Sequence, residues 1–154
     1  TEVKEATKRL GIPRENLIIF NFKVRELGYH RQEILEELVK IKKEICPDLV
    51  FLPSSNDLHQ DHSTVSIEGI RAFKNTTILG YEVPWNNIVF QSEAFIILSE
   101  DHIQKKLQAL DAYNSQKGRN YANEECIRSL ARMRGSQIST QYAEAFEVIR
   151  WIIP

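Results

Sequence analysis

The chain has little of several things, and each shortage excludes something. Of 154 residues only two are cysteine, Cys46 and Cys126. They lie far apart with no CxxC spacing, which fits a reduced, cytoplasmic chain and excludes a disulfide scaffold. Six glycines and five prolines exclude collagenous and low-complexity composition. Neither sign of charge is in excess: 20 Lys+Arg face 21 Asp+Glu, for a net charge of -1. No basic field exists to gather nucleic acid, and that partner is set aside. The longest apolar run, Ala94 to Leu98, is far short of the roughly 20 residues of a membrane span. No signal-peptide pattern opens the chain, and no GxGxxG or Walker pattern supports a nucleotide-binding module. Repeats and linkers that would mark a second domain are also lacking, so residues 1–154 read as one domain.

What is present is an alternation of short apolar runs with helical periodicity. Glu2 to Leu10 reads as a helix, with Val3, Ala6 and Leu10 on one stripe, Gly11 at the stop and Pro13 beyond. No capping box precedes it, which predicts further sequence upstream of Thr1. Leu17 to Phe22 (LIIFNF) predicts a buried parallel strand, Arg31 to Ile45 an amphipathic helix ended by Pro47, and Leu49 to Leu52 a second buried strand. A helix is expected from His62 to about Phe73, strands at Thr76 to Val83 and Ala94 to Leu98, and a helix capped by Ser99 that reaches Ser115. Glu124 to Arg134, closed by Gly135, and a last strand at Phe146 to Ile149 complete the pattern. The expectation is an α/β fold, Rossmann-like, with a mostly parallel sheet and helices on both faces.

Two of the four histidines fall in one dense polar run, Asp57-Leu58-His59-Gln60-Asp61-His62. It follows a strand and opens a helix, where open α/β sheets place their ligand crevice. Neutral imidazole is the commonest metal ligand, and Asp61 can either ligate or orient an imidazole. The competing reading is a solvated loop with Asp61 capping the helix, because two His and an Asp leave a zinc site incomplete. His30 and His102 sit at helix starts and read as surface residues. Lys117, Arg119, Arg128, Arg132 and Arg134 form a basic stretch that reads as a solvated face or as a contact for an anionic carrier. Trp85 and Trp151 suit either packing or stacking on a sugar.

The run Pro53 to His62 (PSSNDLHQDH), the later Ala131-Arg132-Met133-Arg134-Gly135 and Tyr142-Ala143-Glu144-Ala145-Phe146 resemble the PIG-L/LmbE-type zinc-dependent N-deacetylases. Glu2, Ala6, Leu10 and Gly11 and the stretch from Lys106 to Gln116 add to the resemblance. It implies removal of the acetyl group from an N-acetylglucosamine-type sugar conjugate, with Zn2+ as cofactor. It makes His62 the metal ligand, His59 a partner near the scissile carbonyl, and Asp61 a carboxylate that orients a histidine. Tyr142 matches a tyrosine that polarises the amide oxygen, and Glu144 one that braces the site. No membrane span is implied, and a homo-oligomer stays open.

The sequence departs from that family in one respect. The family's His-Pro-Asp-Asp-Glu segment, which gives zinc a His and an Asp and supplies an Asp as general base, does not occur here. Nor does the arginine expected just before Glu2. The expectation is an N-terminally incomplete deacetylase domain, inactive alone, with the family's first strand-helix-strand unit absent. In a sheet of order 3-2-1-4-5, Leu17 to Phe22 takes position 3 and Leu49 to Leu52 position 4, so each would expose an edge. A weak zinc site and a poorly behaved monomer follow from that expectation. The alternative is a non-catalytic carbohydrate-binding or assembly subunit that has lost the metal site.

Overall fold

A computed structural model describes residues 1–153. Its elements run α1 (Glu2–Arg9), α2 (Arg31–Ile45), β1 (Leu49–Pro53), α3 (Gln60–Ala72), β2 (Thr77–Tyr81), β3 (Ala94–Leu98), α4 (Glu100–Asp111), α5 (Glu124–Ser136) and β4 (Tyr142–Arg150). The α/β class expected from the sequence holds. Strand order is β1-β2-β4-β3, with β1 and β2 parallel and β4 antiparallel to β2. The expected parallel character is therefore confined to the β1-α3-β2 crossover. β3, α4 and α5 intervene between β2 and β4, so chain order leaves the direction of β4 open.

Helix ends follow local chemistry. α2 stops at Cys46, which is left-handed (φ 49°) and donates its N–H to Lys42 O. α4 starts at a capping box in which the Ser99 hydroxyl accepts from the His102 N–H and the His102 ring accepts from the Ser99 N–H. It ends at Asp111 rather than Ser115, and a 3-10 turn at Asn114–Gln116 follows. Gly135 does not close α5, which runs one residue further. A Cβ at Gly135 would lie 2.8 Å from the carbonyl oxygens of Thr140 and Gln141, so this glycine admits the returning backbone.

Leu17 to Phe22 is not a strand. It pairs with no strand among the described residues, and Ile18, Ile19 and Phe20 are 50, 46 and 39% exposed. β-propensity measures fit to a half-buried pleated surface, and among the described residues this segment takes no place in the sheet.

The chain divides into two compact units. The first joins residues 1–20 and 95–144. In it Ala6 on α1 packs against Ala109 and Ala112 at the end of α4, beside Tyr113. The small side chains let the two helix backbones come close. Arg128 on α5 grips Glu100 at 2.7 Å and Glu124 at 2.7 Å. The Arg128 guanidinium, with help from Gln104, holds the Glu100 carboxyl down at about 2 from an ordinary 4.5. A depressed carboxylate stabilises fully above its unfolded value and loses that contribution as pH falls toward the folded one. The difference in Tm between the wild type and Glu100→Gln is thus expected to persist at neutral pH and to close between about pH 4.5 and about pH 2. A constant difference across that window would contradict the assignment.

Among the described residues the second unit joins 21–94 and 145–153. Leu52, Ala72, Phe73 and Ile78 form its core, with Leu35, Leu38 and Val39 of α2 packed against them. Glu68, fully buried on α3, is held by Arg31 and Arg71. These pairings fix α3 against the start of α2, and the candidate site stands at the N-terminus of α3.

Candidate functional site

The turn after β1 carries the polar run, and its local bonds are set by residue type. Asp57 accepts the His59 N–H at 2.8 Å, an Asx-type bond two residues on. The His59 ring Nδ1 then accepts the Asp61 N–H at 3.2 Å and caps α3. Capping falls to His59, and Asp61 is not the cap. One turn on, His62 Nδ1 lies 2.8 Å from Asp57 Oδ2. Asn86 Nδ2 donates to the same oxygen at 3.3 Å, and Asn86 O accepts the Leu58 N–H at 3.2 Å. The two imidazole rings are 4.8 Å apart.

These bonds put the two histidines in opposite tautomers. His59 Nδ1 accepts, so its proton sits on Nε2 and that nitrogen donates. His62 Nδ1 faces a carboxylate, so Nδ1 carries a proton, and in the neutral ring Nε2 presents a lone pair. The Asp57 side chain is fully buried while that of His62 is 36% exposed, so the pair has a hidden anchor and an accessible face. Near Asp57, burial and then the Asp57 charge push the Tyr81 phenol above its usual 10, which keeps a protonated hydroxyl beside the turn.

Each expected site residue has a definite place. His59 and His62 come together, with ring centroids 4.8 Å apart. Asp61 orients neither ring: its carboxylate accepts the N–H groups of Arg25 at 2.6 Å and Leu27 at 3.3 Å. Tyr142 belongs to the first unit, where its hydroxyl meets Arg128 at 3.5 Å. Glu144 is paired with Lys106 at 2.5 Å. Arg128 is absorbed by Glu100 and Glu124, and Arg132 donates to Gln141 O. His30 pairs with Glu33 at 3.1 Å, and Trp85 and Trp151 are exposed.

Asp57 and Asn86 are the residues that sequence reasoning did not assign. Asp57 had a usable signal, since Asp at i, i+2 and i+5 from two histidines suits a turn entering a helix. Asn86 arrives from a loop 24 positions beyond His62 and carried none. Among the described residues no group of three or more His, Cys, Asp or Glu is placed to hold a metal ion. The site fits a metal through one nitrogen, His62 Nε2, with further ligands required from elsewhere.

Residues 1–73 match the PIG-L family, described as GlcNAc-PI de-N-acetylase. Solved structures share the fold. The N,N'-diacetylchitobiose deacetylase from Pyrococcus horikoshii has a TM-score of 0.76 at 22% identity, with 96% of this chain and 61% of that chain covered. The conserved protein TT1542 from Thermus thermophilus has a TM-score of 0.71 at 21% identity, covering 99% and 73%. GalB, the 4-carboxy-2-hydroxymuconate hydratase from Pseudomonas putida, has a TM-score of 0.66 at 15% identity, covering 99% and 71%. This chain therefore spans less than two thirds of the chitobiose deacetylase.

Proposed function

We propose that this PIG-L-type chain carries part of the active site of a metal-dependent hydrolase that deacetylates an N-acetylated amino-sugar conjugate. The observation that carries the reading is the opposed tautomers of His59 and His62, one a donor and one a lone pair, on adjacent rings. When bound, a zinc ion would act as a Lewis acid and lower the pKa of its water toward about 7. His62 Nε2 would hold it. Asp57 fixes His62 in the ligating tautomer, as a carboxylate behind a metal-bound imidazole does. His59 Nε2–H donates to the oxygen that becomes negative when water attacks the acetyl carbonyl. Asp61 ties the start of α3 to the backbone at Arg25 and Leu27. Tyr142 is proposed to polarise the amide oxygen and Glu144 to brace the site, both on the family resemblance alone. The general base and the remaining ligands correspond to a His-Pro-Asp-Asp-Glu segment that the 154 residues do not contain, and the chain alone is proposed to be inactive. Two free thiols, Cys46 and Cys126, suit a reducing cytoplasm.

The second reading is metal-assisted hydration, favoured by the hydratase of the same fold. The test is acetate release from N-acetylglucosamine conjugates by the protein that carries this chain, run beside an enol substrate for hydration and beside glycosidase and phosphatase substrates. Acetate release alone is expected. Turnover confined to the hydration substrate would replace the reading, and no turnover with retained sugar binding would leave the non-catalytic subunit.

A further inference from the structure

A second bond network at the site begins outside the polar run, on β4. Glu147 is 7% exposed, and its carboxylate accepts from the Ser54 hydroxyl at 2.8 Å, the Ser55 N–H at 2.9 Å, and the Ser55 hydroxyl. β4 is not the neighbour of β1: β2 lies between them, and Gly80 is the β2 residue in register with Glu147. A Cβ at Gly80 would stand 3.0 Å from Glu147 Oε2 and 3.1 Å from Ser54 Cα. The glycine thus leaves room for this carboxylate to cross the middle strand to the turn after β1.

From Ser54 the bonds lead straight to the histidines. Asn56 N–H donates to the Ser54 hydroxyl at 3.3 Å, and Asp57 N–H donates to Ser54 O at 3.1 Å. Asp57 then holds the His59 N–H and His62 Nδ1. A carboxylate accepting three donors from two consecutive serines fixes both the place and the twist of that turn. A buried acceptor of this kind is costly to leave unmade, so the hydroxyls are not free to turn away.

We infer that Glu147 is a positioning residue, which sets the turn Ser54–Asp57 across Gly80 and through Asp57 selects the tautomer of His62. The role rests on the deacetylase reading, because the Nδ1–H tautomer matters only if Nε2 has something to ligate. Glu147 touches neither substrate nor metal and acts through Asp57.

The experiment uses ring-nitrogen NMR of His62 and amide hydrogen exchange on the wild-type chain, Glu147→Gln and Glu147→Ala. In the wild type His62 should show a protonated Nδ1 and a bare Nε2. Glu147→Ala should average the two nitrogens and speed exchange at Ser55 and His59 by about tenfold, with the core amide of Ile78 unchanged. Glu147→Gln keeps one carbonyl acceptor and should fall between; it carries the test if the alanine variant does not fold. Unchanged ring shifts and unchanged exchange in both folded variants would overturn the role. A wild-type His62 protonated on Nε2 would instead sink the ligand reading of the site, and exchange at Ser55 would still decide whether Glu147 holds the turn.

Discussion

Replacing His62 by alanine is expected to remove most of the bound zinc and the turnover of the protein that carries this chain, whereas His59→Ala is expected to keep the metal and lower kcat by about 10² to 10³-fold, the scale of one oxyanion donor. The difference comes from the protons. His62 Nδ1 faces Asp57 at 2.8 Å, which frees Nε2 as a ligand. His59 Nδ1 is occupied by the Asp61 N–H, which leaves Nε2 as a donor. Removing His59 also deprives α3 of its cap, at a cost of about 1 kcal/mol, so the variant should melt slightly lower while still holding metal. Zinc per chain by elemental analysis, measured beside acetate release, separates the two roles. Metal lost with His59→Ala and kept with His62→Ala would exchange them.

Asp57→Ala should have the second largest effect and should act on two quantities at once. The fully buried carboxylate serves the His59 N–H, the His62 ring and the Asn86 amide. Alanine leaves these groups without their acceptor beside a His62 ring that is partly exposed. Each lost bond to a charged acceptor costs about 1.5 to 3 kcal/mol, and part is recovered where solvent enters, so a loss of about 2 to 4 kcal/mol is expected. Zinc affinity should fall by about 10 to 100-fold, as when the carboxylate behind a ligating histidine is removed. Asp57→Asn keeps the shape and one acceptor oxygen, so it should recover much of the stability and less of the affinity. Chemical denaturation and a chelator competition read the two separately. Equal affinities in wild type, Asp57→Asn and Asp57→Ala would show that the Asp57–His62 contact does not matter to the metal.

How much of this could be read from the sequence depends on the range of the interaction. The helix Arg31–Ile45 was legible to the residue because the apolar spacing, Pro47 and the charged face all lie within it or beside it. The pairing of His59 with His62 was legible for the same reason: a turn entering a helix brings i and i+3 together. Leu17 to Phe22 misled because an apolar run announces burial without naming its partner, and a strand needs one. β4 proved longer than Phe146 to Ile149 because its first residues alternate with polar ones whose partners lie far off, such as Lys106 for Glu144. Asp61 was assigned to a ring because it adjoins one, yet its carboxylate serves backbone N–H groups 34 and 36 positions earlier. Glu147, 92 and 93 positions from the serines it holds, left no mark at any local period.

The crossing of β2 at Gly80 also ties two distant codons together. A side chain at 80 would crowd the Glu147 carboxylate and the Ser54 backbone, and a shorter residue at 147 would leave Gly80 with nothing to make room for. Drift at either position alone passes through a damaged intermediate, so a lineage can abandon the arrangement only by changing both. In a set of related sequences the two columns should therefore vary jointly, and glycine opposite glutamate would mark the members that anchor this turn from β4.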